Sequence, residues 1–337
     1  MSFYARPVQS EDLQDLLGLA EQFNLLNLPA NENILKEKIE RSIKSFKSEI
    51  PKEAREYIFV LVDVEDNLLV GCSLILAKHG TPEVPHYYFK VDRRERVSED
   101  LGIGFIHHVL QLNEETNGPS EIGGLLVNPK YRGHKSKLGK FISLVRFLYI
   151  AKNPQYFQKE ILCEFAPRLS EEGKSYLWEE LGRKFTGLTY EEADRLSLKN
   201  KGFIRQLFPI EGVYLNLLSP EVRMNLGKVS QQTEPAKHLL SSIGFSYKGE
   251  IDPFDGGPHF KCEKQEISLI KNFRKMKPQF KQDNEIQFNA LLMNDSGEGF
   301  LGLQAEYDEE KDELYLANDM REYFNNKDLQ ESYFSKI

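Results

Sequence analysis

The chain is poor in cysteine. Its three cysteines, Cys72, Cys163 and Cys262, are far apart and odd in number, which excludes a disulfide framework and any cysteine motif with metal-ligand spacing. A reduced, cytoplasmic protein is expected. No run of about 18 uncharged apolar residues occurs, so a membrane-spanning helix is excluded. The opening MSFYARPV has no apolar signal core, which again predicts retention in the cytoplasm. Basic blocks interleaved with aromatics are missing too. With a formal net charge of −8, a nucleic-acid partner is not expected. There is no internal repeat and no low-complexity tract, and a hydrophobic content of 40% beside 28% charged residues suits a chain that buries a real core. Its 337 residues exceed the usual single-domain size, which predicts one large domain with a smaller companion.

What is there alternates between strand and helix signals. Residues 3–8 form a short apolar opening, and Ser10, followed by Glu11 and Asp12, supplies a helix start before Leu13, Leu16, Leu17 and Ala20. Pro29 breaks the chain within residues 26–33, ahead of a second helix carrying Leu35, Ile39, Ile43 and Phe46 on one face. The apolar runs 57–63 and 68–77 flank Val64-Glu65-Asp66-Asn67 and read as a hairpin. Further strands are expected at 86–92, 121–127 and 160–165. Residues 136–152 form a helix too apolar for a surface position. Residues 170–228 read as a mostly helical insertion, 232–243 as a helix, and 244–262 as turns and short strands. Beyond residue 275, strand-like runs alternate with turns, including Asp-Ser-Gly-Glu-Gly at 295–299, which predicts a small C-terminal β module at 275–337 beside a main domain at 1–270. The fold class is α+β.

Two stretches carry chemistry. Residues 253–258 read Pro-Phe-Asp-Gly-Gly-Pro, a concentration of glycine and proline that forces special backbone geometry and lets main chain approach a ligand closely. An ordinary tight turn accounts for the same residues. The second stretch is strand 121–127, interrupted by Gly123 and Gly124, where a bulge or close ligand approach is the usual reason for glycine. It leads into a loop and buried helix with Arg132, Gly133, Lys135, Ser136 and Gly139 around the helix start. Exposed amides at a helix N-terminus bind phosphate, and nearby cations reinforce them. Arg-Gly-x-x-Ser-x-Leu-Gly resembles, loosely, the coenzyme-A loop of the GNAT acyltransferase superfamily, and the order of elements matches that fold. In it, strands 121–127 and 160–165 would splay apart to admit an acyl-CoA thioester.

A more specific resemblance spans nearly the whole chain. LPANE at 28–32, Tyr-x-Phe-Val-Leu at 57–61, Ser120-Glu121 leading through Leu125 to Asn-Pro-x-Tyr-Arg, and Leu-x-Arg-Phe at 144–147 come first. Asn-Leu-Leu-Ser at 216–219, Gln-Thr-x-Pro-Ala at 232–236, Gly-Phe at 244–245 and FDGGP at 254–258 follow in order. Together they are similar to the arginine N-succinyltransferase family. The resemblance implies succinyl transfer from succinyl-CoA, as co-substrate, to the α-amine of L-arginine or ornithine. That reaction opens an arginine-degradation route yielding ammonia, glutamate and succinate. It implies a homo-oligomer and a contact of Leu125 with succinyl-CoA, although a plain core strand residue explains Leu125 equally well. Transfer to a different amine or from a different acyl donor, and a non-catalytic binding descendant, are the alternatives.

One departure stands out. The family's proton-transferring His falls at Ser230 here, and a serine hydroxyl does not titrate near neutral pH. Amine acylation requires the α-ammonium to lose a proton. His259 and Asp255 in or beside the FDGGP turn, and His238 two turns beyond Ser230, are the other candidates, while Ser230 itself can relay a proton through water. Asn31 and Glu32, before the second helix, and Gly256 and Gly257 are candidate substrate contacts, with helix capping the competing role for Asn31. Cys163 reads as core rather than nucleophile. No His/Cys/Asp cluster has ligand spacing along the sequence, so neither a metal nor a prosthetic group is expected.

Overall fold

Alternation of side chains along a strand decides which layer each residue joins. Strand Glu56–Asp63 is buried along its whole length because it is covered on both faces. Ile58, Val60 and Val62 pack into one core cluster with Leu16, Leu19, Leu35 and Ile39 of helices Leu13–Ala20 and Glu32–Phe46. Tyr57 and Phe59 lie on the opposite face, with ring centroids 5.0 and 5.6 Å from that of Tyr149. This computed structural model describes residues 2–22, 28–197, 202–282, 286–295, 299–324 and 328–337. Residues 26–27 of the expected break and 296–298 of the expected turn lie outside the described residues.

The chain divides into two compact units, the first comprising Met1–Lys78, Ser120–Lys159 and Glu263–Ile337. Its sheet runs in the order Arg274–Lys275, Ser332–Lys336, Ala290–Asn294, Leu301–Asp308, Phe3–Pro7, Glu56–Asp63, Leu68–Leu76, Ser120–Val127. Every neighbouring pair is antiparallel. The hairpin of residues 56–76 forms as the apolar runs predict, with Asn67 at φ 50° in its turn. The C-terminal strands extend the N-terminal sheet through the pairing of Ala5 with Gly302. Gly302 is required there, since an added Cβ would stand 2.5 Å from Val145 Cγ2.

The second unit comprises His79–Pro119 and Glu160–Cys262. Its strands follow the order Glu160–Glu164, Pro258–Glu263, Ser246–Ile251, His86–Ser98, Ile103–Glu115, Val213–Tyr214. Trp178, Leu181, Ala193, Ile204 and Phe208 of the insertion bury against Phe89, Leu110, Ile251 and Phe254. The Trp178 indole stacks on the Phe254 ring, 5.2 Å between centroids and 10° between planes.

Three details differ from the sequence reading. The helical stretch is entered at Gln9 rather than Ser10, and the Asp12 carboxylate reaches back to accept the Gln9 amide at 2.7 Å and pairs with Arg6. The buried helix begins at Leu138 and is interrupted at Val145 before continuing as Arg146–Lys152. Strand 86–92 runs on to Ser98 and pairs along its whole length with a strand at Ile103–Glu115 that no local pattern announced.

Candidate active site

In the first unit the candidate site is built on a bulge. Cys72 pairs with Leu126 and Leu74 with Gly123, so Gly124 and Leu125 together oppose Ser73. Gly124 sits at φ +56°, and a Cβ there would come within 2.6 Å of Leu74 Cδ2, so only glycine fits. The half-buried Leu125 is carried on this irregularity. Arg146, a cation within the apolar helix, stabilises it. The guanidinium is buried and donates to the carbonyls of Leu74 and Gly123, each at 3.0 Å, and of Ser143 at 2.8 Å. In the sequence, Leu144-x-Arg146-Phe147 is a family feature that gives no sign of this role.

Beyond the strand, the Asn128 side chain caps the turn Pro129–Tyr131 by accepting the Lys130 amide at 3.1 Å. Gly133 adopts φ +74° and Lys137 φ +48°, which brings the chain round into the helix. The Ser136 amide donates to His134 Nδ1 at 3.2 Å and its carbonyl accepts from Gln304. Among the described residues, no partner is found for the amides of Gly133, Lys135, Leu138, Gly139 or Lys140. Lys130, Lys135, Lys137 and Lys140 belong to the same loop and helix start, and no ion pair to an acidic side chain is found for any of them among the described residues. Burial, and then the like charge of Lys137, push the Lys140 ammonium below its ordinary pKa. Main-chain donors left free beside cations can bind an anion. In the same unit, Asn31 and Glu32 are exposed, and Asn31 caps helix Glu32–Phe46 by accepting the Ile34 amide at 3.1 Å.

In the second unit the FDGGP turn is held by its own carboxylates. Asp252 accepts the amides of Phe254 at 2.7 Å and Asp255 at 3.1 Å, and Asp255 accepts that of Gly257 at 2.7 Å. Gly256 has φ +75°, and a Cβ on Gly257 would lie 2.4 Å from the Phe165 carbonyl oxygen. Both glycines therefore answer to backbone geometry. Burial, and then the neighbouring Asp252 charge, raise the Asp255 carboxyl well above the usual carboxylate range.

His259 is fully buried on strand Pro258–Glu263, and burial lowers its pKa to about 4. Its Nε2 lies 3.6 Å from Glu164 Oε1, and its ring stacks 5.3 Å from that of His86. The fold thus gathers His79, His86, Glu164, Asp252 and His259, which are scattered along the sequence and carry no common spacing. Cys163, next to Glu164, is buried, as a core residue should be.

Ser230 lies apart from that cluster in its local bonding. Its amide donates to the Ala166 carbonyl at 2.9 Å, its carbonyl receives the amides of Thr233 and Glu234, and its hydroxyl is 2.7 Å from the Thr233 hydroxyl. His238 is exposed on helix Glu234–Ser242, with Nε2 3.6 Å from the Glu234 carboxylate.

Comparison with known proteins gives this geometry a context. The family model described as arginine N-succinyltransferase beta subunit matches residues 3–269. The chain belongs to the arginine N-succinyltransferase family. The arginine N-succinyltransferase of Yersinia enterocolitica is 33% identical over 90% of this chain and 86% of its own length. That of Photorhabdus laumondii is 33% identical over 88% and 91% respectively. The arginine/ornithine succinyltransferase subunit AI of Pseudomonas aeruginosa superposes with a TM-score of 0.85 at 26% identity, covering 99% of this chain and 98% of that one. The α+β fold of this succinyltransferase family therefore extends over the whole chain, C-terminal strands included. Among the described residues no helix is long and apolar enough to cross a membrane.

Proposed function

We propose that the chain transfers the succinyl group of succinyl-CoA to the α-amino nitrogen of L-arginine. Near-full-length similarity to arginine N-succinyltransferases carries this reading, and the unpartnered amides around Gly133–Lys140 support it. In the first unit, those amides with Arg132, Lys135, Lys137 and Lys140 take the CoA diphosphate, Ser136 and Gly139 shape the cradle, and Leu125 lies against the acyl-thioester. The pairing of anion with oriented amides and lysines fixes the donor without a covalent enzyme intermediate.

In the chemical step the α-ammonium first loses a proton. The amine lone pair then attacks the thioester carbonyl, the C–N bond forms, the C–S bond breaks, and the nitrogen gives up its second proton, which the leaving CoA thiolate takes up. Where the family places a histidine, Ser230 and Thr233 offer a hydrogen-bonded hydroxyl pair. These hydroxyls relay the proton to solvent and do not store it. Asp255 and His259 shape the second unit's turn and strand in this reading. A deeply depressed imidazole is a poor match for a proton acceptor working near neutral pH.

The test is direct. Purified protein mixed with succinyl-CoA and L-arginine should release free thiol and form N-succinylarginine detectable by mass spectrometry. L-Ornithine and acetyl-CoA serve as competing amine and acyl donor. Thiol release only with another donor or another amine would overturn the assignment of substrates.

A further inference from the structure

The imidazole of His259 is enclosed without a hydrogen bond. Neither Nδ1 nor Nε2 has a hydrogen-bond partner among the described residues, and the side chain is 0% exposed. A buried polar group in that state is rare unless something else satisfies it. Its surroundings supply a clue to what that is. Glu164, Asp252 and His259 each offer a ligand atom, and these atoms lie within 4.8 Å of one another.

The separation between His259 Nε2 and Glu164 Oε1, 3.6 Å, is informative. A charge-assisted imidazole–carboxylate hydrogen bond closes to about 2.7–2.9 Å. Two donors sharing one cation stay apart, at about 3.4 Å when bonds of roughly 2.1 Å make tetrahedral angles. The pair is spaced as ligands are, and too widely for a hydrogen bond. The three residues come from different segments, namely strand Glu160–Glu164, the turn after strand Ser246–Ile251, and strand Pro258–Glu263. An ion there would tie the FDGGP turn to the sheet of the second unit.

We infer that Glu164, Asp252 and His259 form a binding site for one divalent transition-metal cation. One imidazole and two carboxylates are the donor set of zinc, manganese, iron(II) and cobalt, and a poor match for the all-oxygen shells of calcium and magnesium. His79 and His86 flank Glu164 on a second donor set that shares its carboxylate. They are the competing seat for the same ion. This inference does not depend on succinyl transfer.

The experiment uses full-length protein stripped with chelator and checked by circular dichroism. Zn²⁺ is titrated calorimetrically, and Co²⁺ by its visible d–d absorption. One equivalent should bind, with a cobalt spectrum of four- or five-coordinate type. His259→Gln and the isosteric Asp252→Asn, both folded by circular dichroism, should each weaken binding by about tenfold or more. Two results would overturn the site. One is absence of saturable uptake of either ion. The other is uptake that survives both substitutions, including uptake lost only in His86→Gln, which would put the ion on the set of His79, His86 and Glu164 instead.

Discussion

At the scale of single residues, Ser230 sets the clearest expectation. A hydroxyl relay cannot hold the proton, so kcat/KM should climb with pH as the arginine α-ammonium deprotonates, without the plateau that a neutral-range base would impose. Ser230→His, which puts at this position the histidine that the resemblance implies, should raise kcat/KM at pH 7 by about 10-fold or more and flatten that profile. Steady-state rates between pH 6 and 9.5 decide it, and an unchanged profile would remove Ser230 from the proton path. The two turn glycines make a different kind of prediction. Gly257→Ala puts a methyl against the Phe165 carbonyl, where backbone has to move. A loss of about 2–4 kcal/mol in chemical denaturation is expected, in the range of strained and overpacked sites.

Single residues also mark where sequence was transparent and where it was opaque. The glycines at 123, 124, 256 and 257 announced special backbone, and a bulge and a tight turn stand there. Arg146 was opaque because its partners are main-chain carbonyls, which leave no trace in sequence. The histidine and carboxylate cluster was opaque for a related reason. His79, His86, Glu164, Asp252 and His259 come from five places in the chain, and only the folded sheet brings them together.

Among elements, strands covered on both faces were legible, since Glu56–Asp63 and Leu68–Leu76 are continuous apolar runs. The paired strands His86–Ser98 and Ile103–Glu115 were not. Their far ends are exposed, with Arg93, Glu95, Arg96, Phe105 and Ile106 open to solvent, so no buried face imposes alternation. The helix after Lys137 carries an element-scale prediction. Arg146→Met should keep its volume yet strand the carbonyls of Leu74, Gly123 and Ser143, lowering stability by about 2–4 kcal/mol. Equilibrium urea unfolding checks this, and a neutral result would mean those carbonyls find other donors.

The same element links CoA binding to pH. Lys140 has a lowered pKa because of burial and the neighbouring Lys137, and a bound diphosphate would raise it again. The bound state then holds more protons than the free state. Affinity should be greatest below the lowered pKa of the free protein and should fall as pH rises through it. Calorimetry in buffers of different ionisation enthalpy should show proton uptake on CoA binding, and Lys140→Met should abolish that uptake. Proton release would contradict the cradle.

At the scale of the molecule, the composition excluded a membrane-spanning helix and a disulfide scaffold, and the order of motifs foreshadowed the family. The sequence reading set the C-terminal strands apart as a module. They continue the sheet that begins with Phe3–Pro7 through the pairing of Ala5 with Gly302, where the glycine leaves room for the Val145 side chain. Small residues at such a seam look like any loop glycine or alanine until the pairing is known.

The most direct measurement follows thiol release from succinyl-CoA in the presence of L-arginine, with the acylated nitrogen located by tandem mass spectrometry. The account predicts saturable release that requires arginine, a succinyl group on the α-nitrogen, and an affinity for CoA weakened about tenfold or more when Lys135, Lys137 and Lys140 are neutralised together. Full activity in that triple variant, or succinylation of the guanidinium instead of the α-amine, would contradict it.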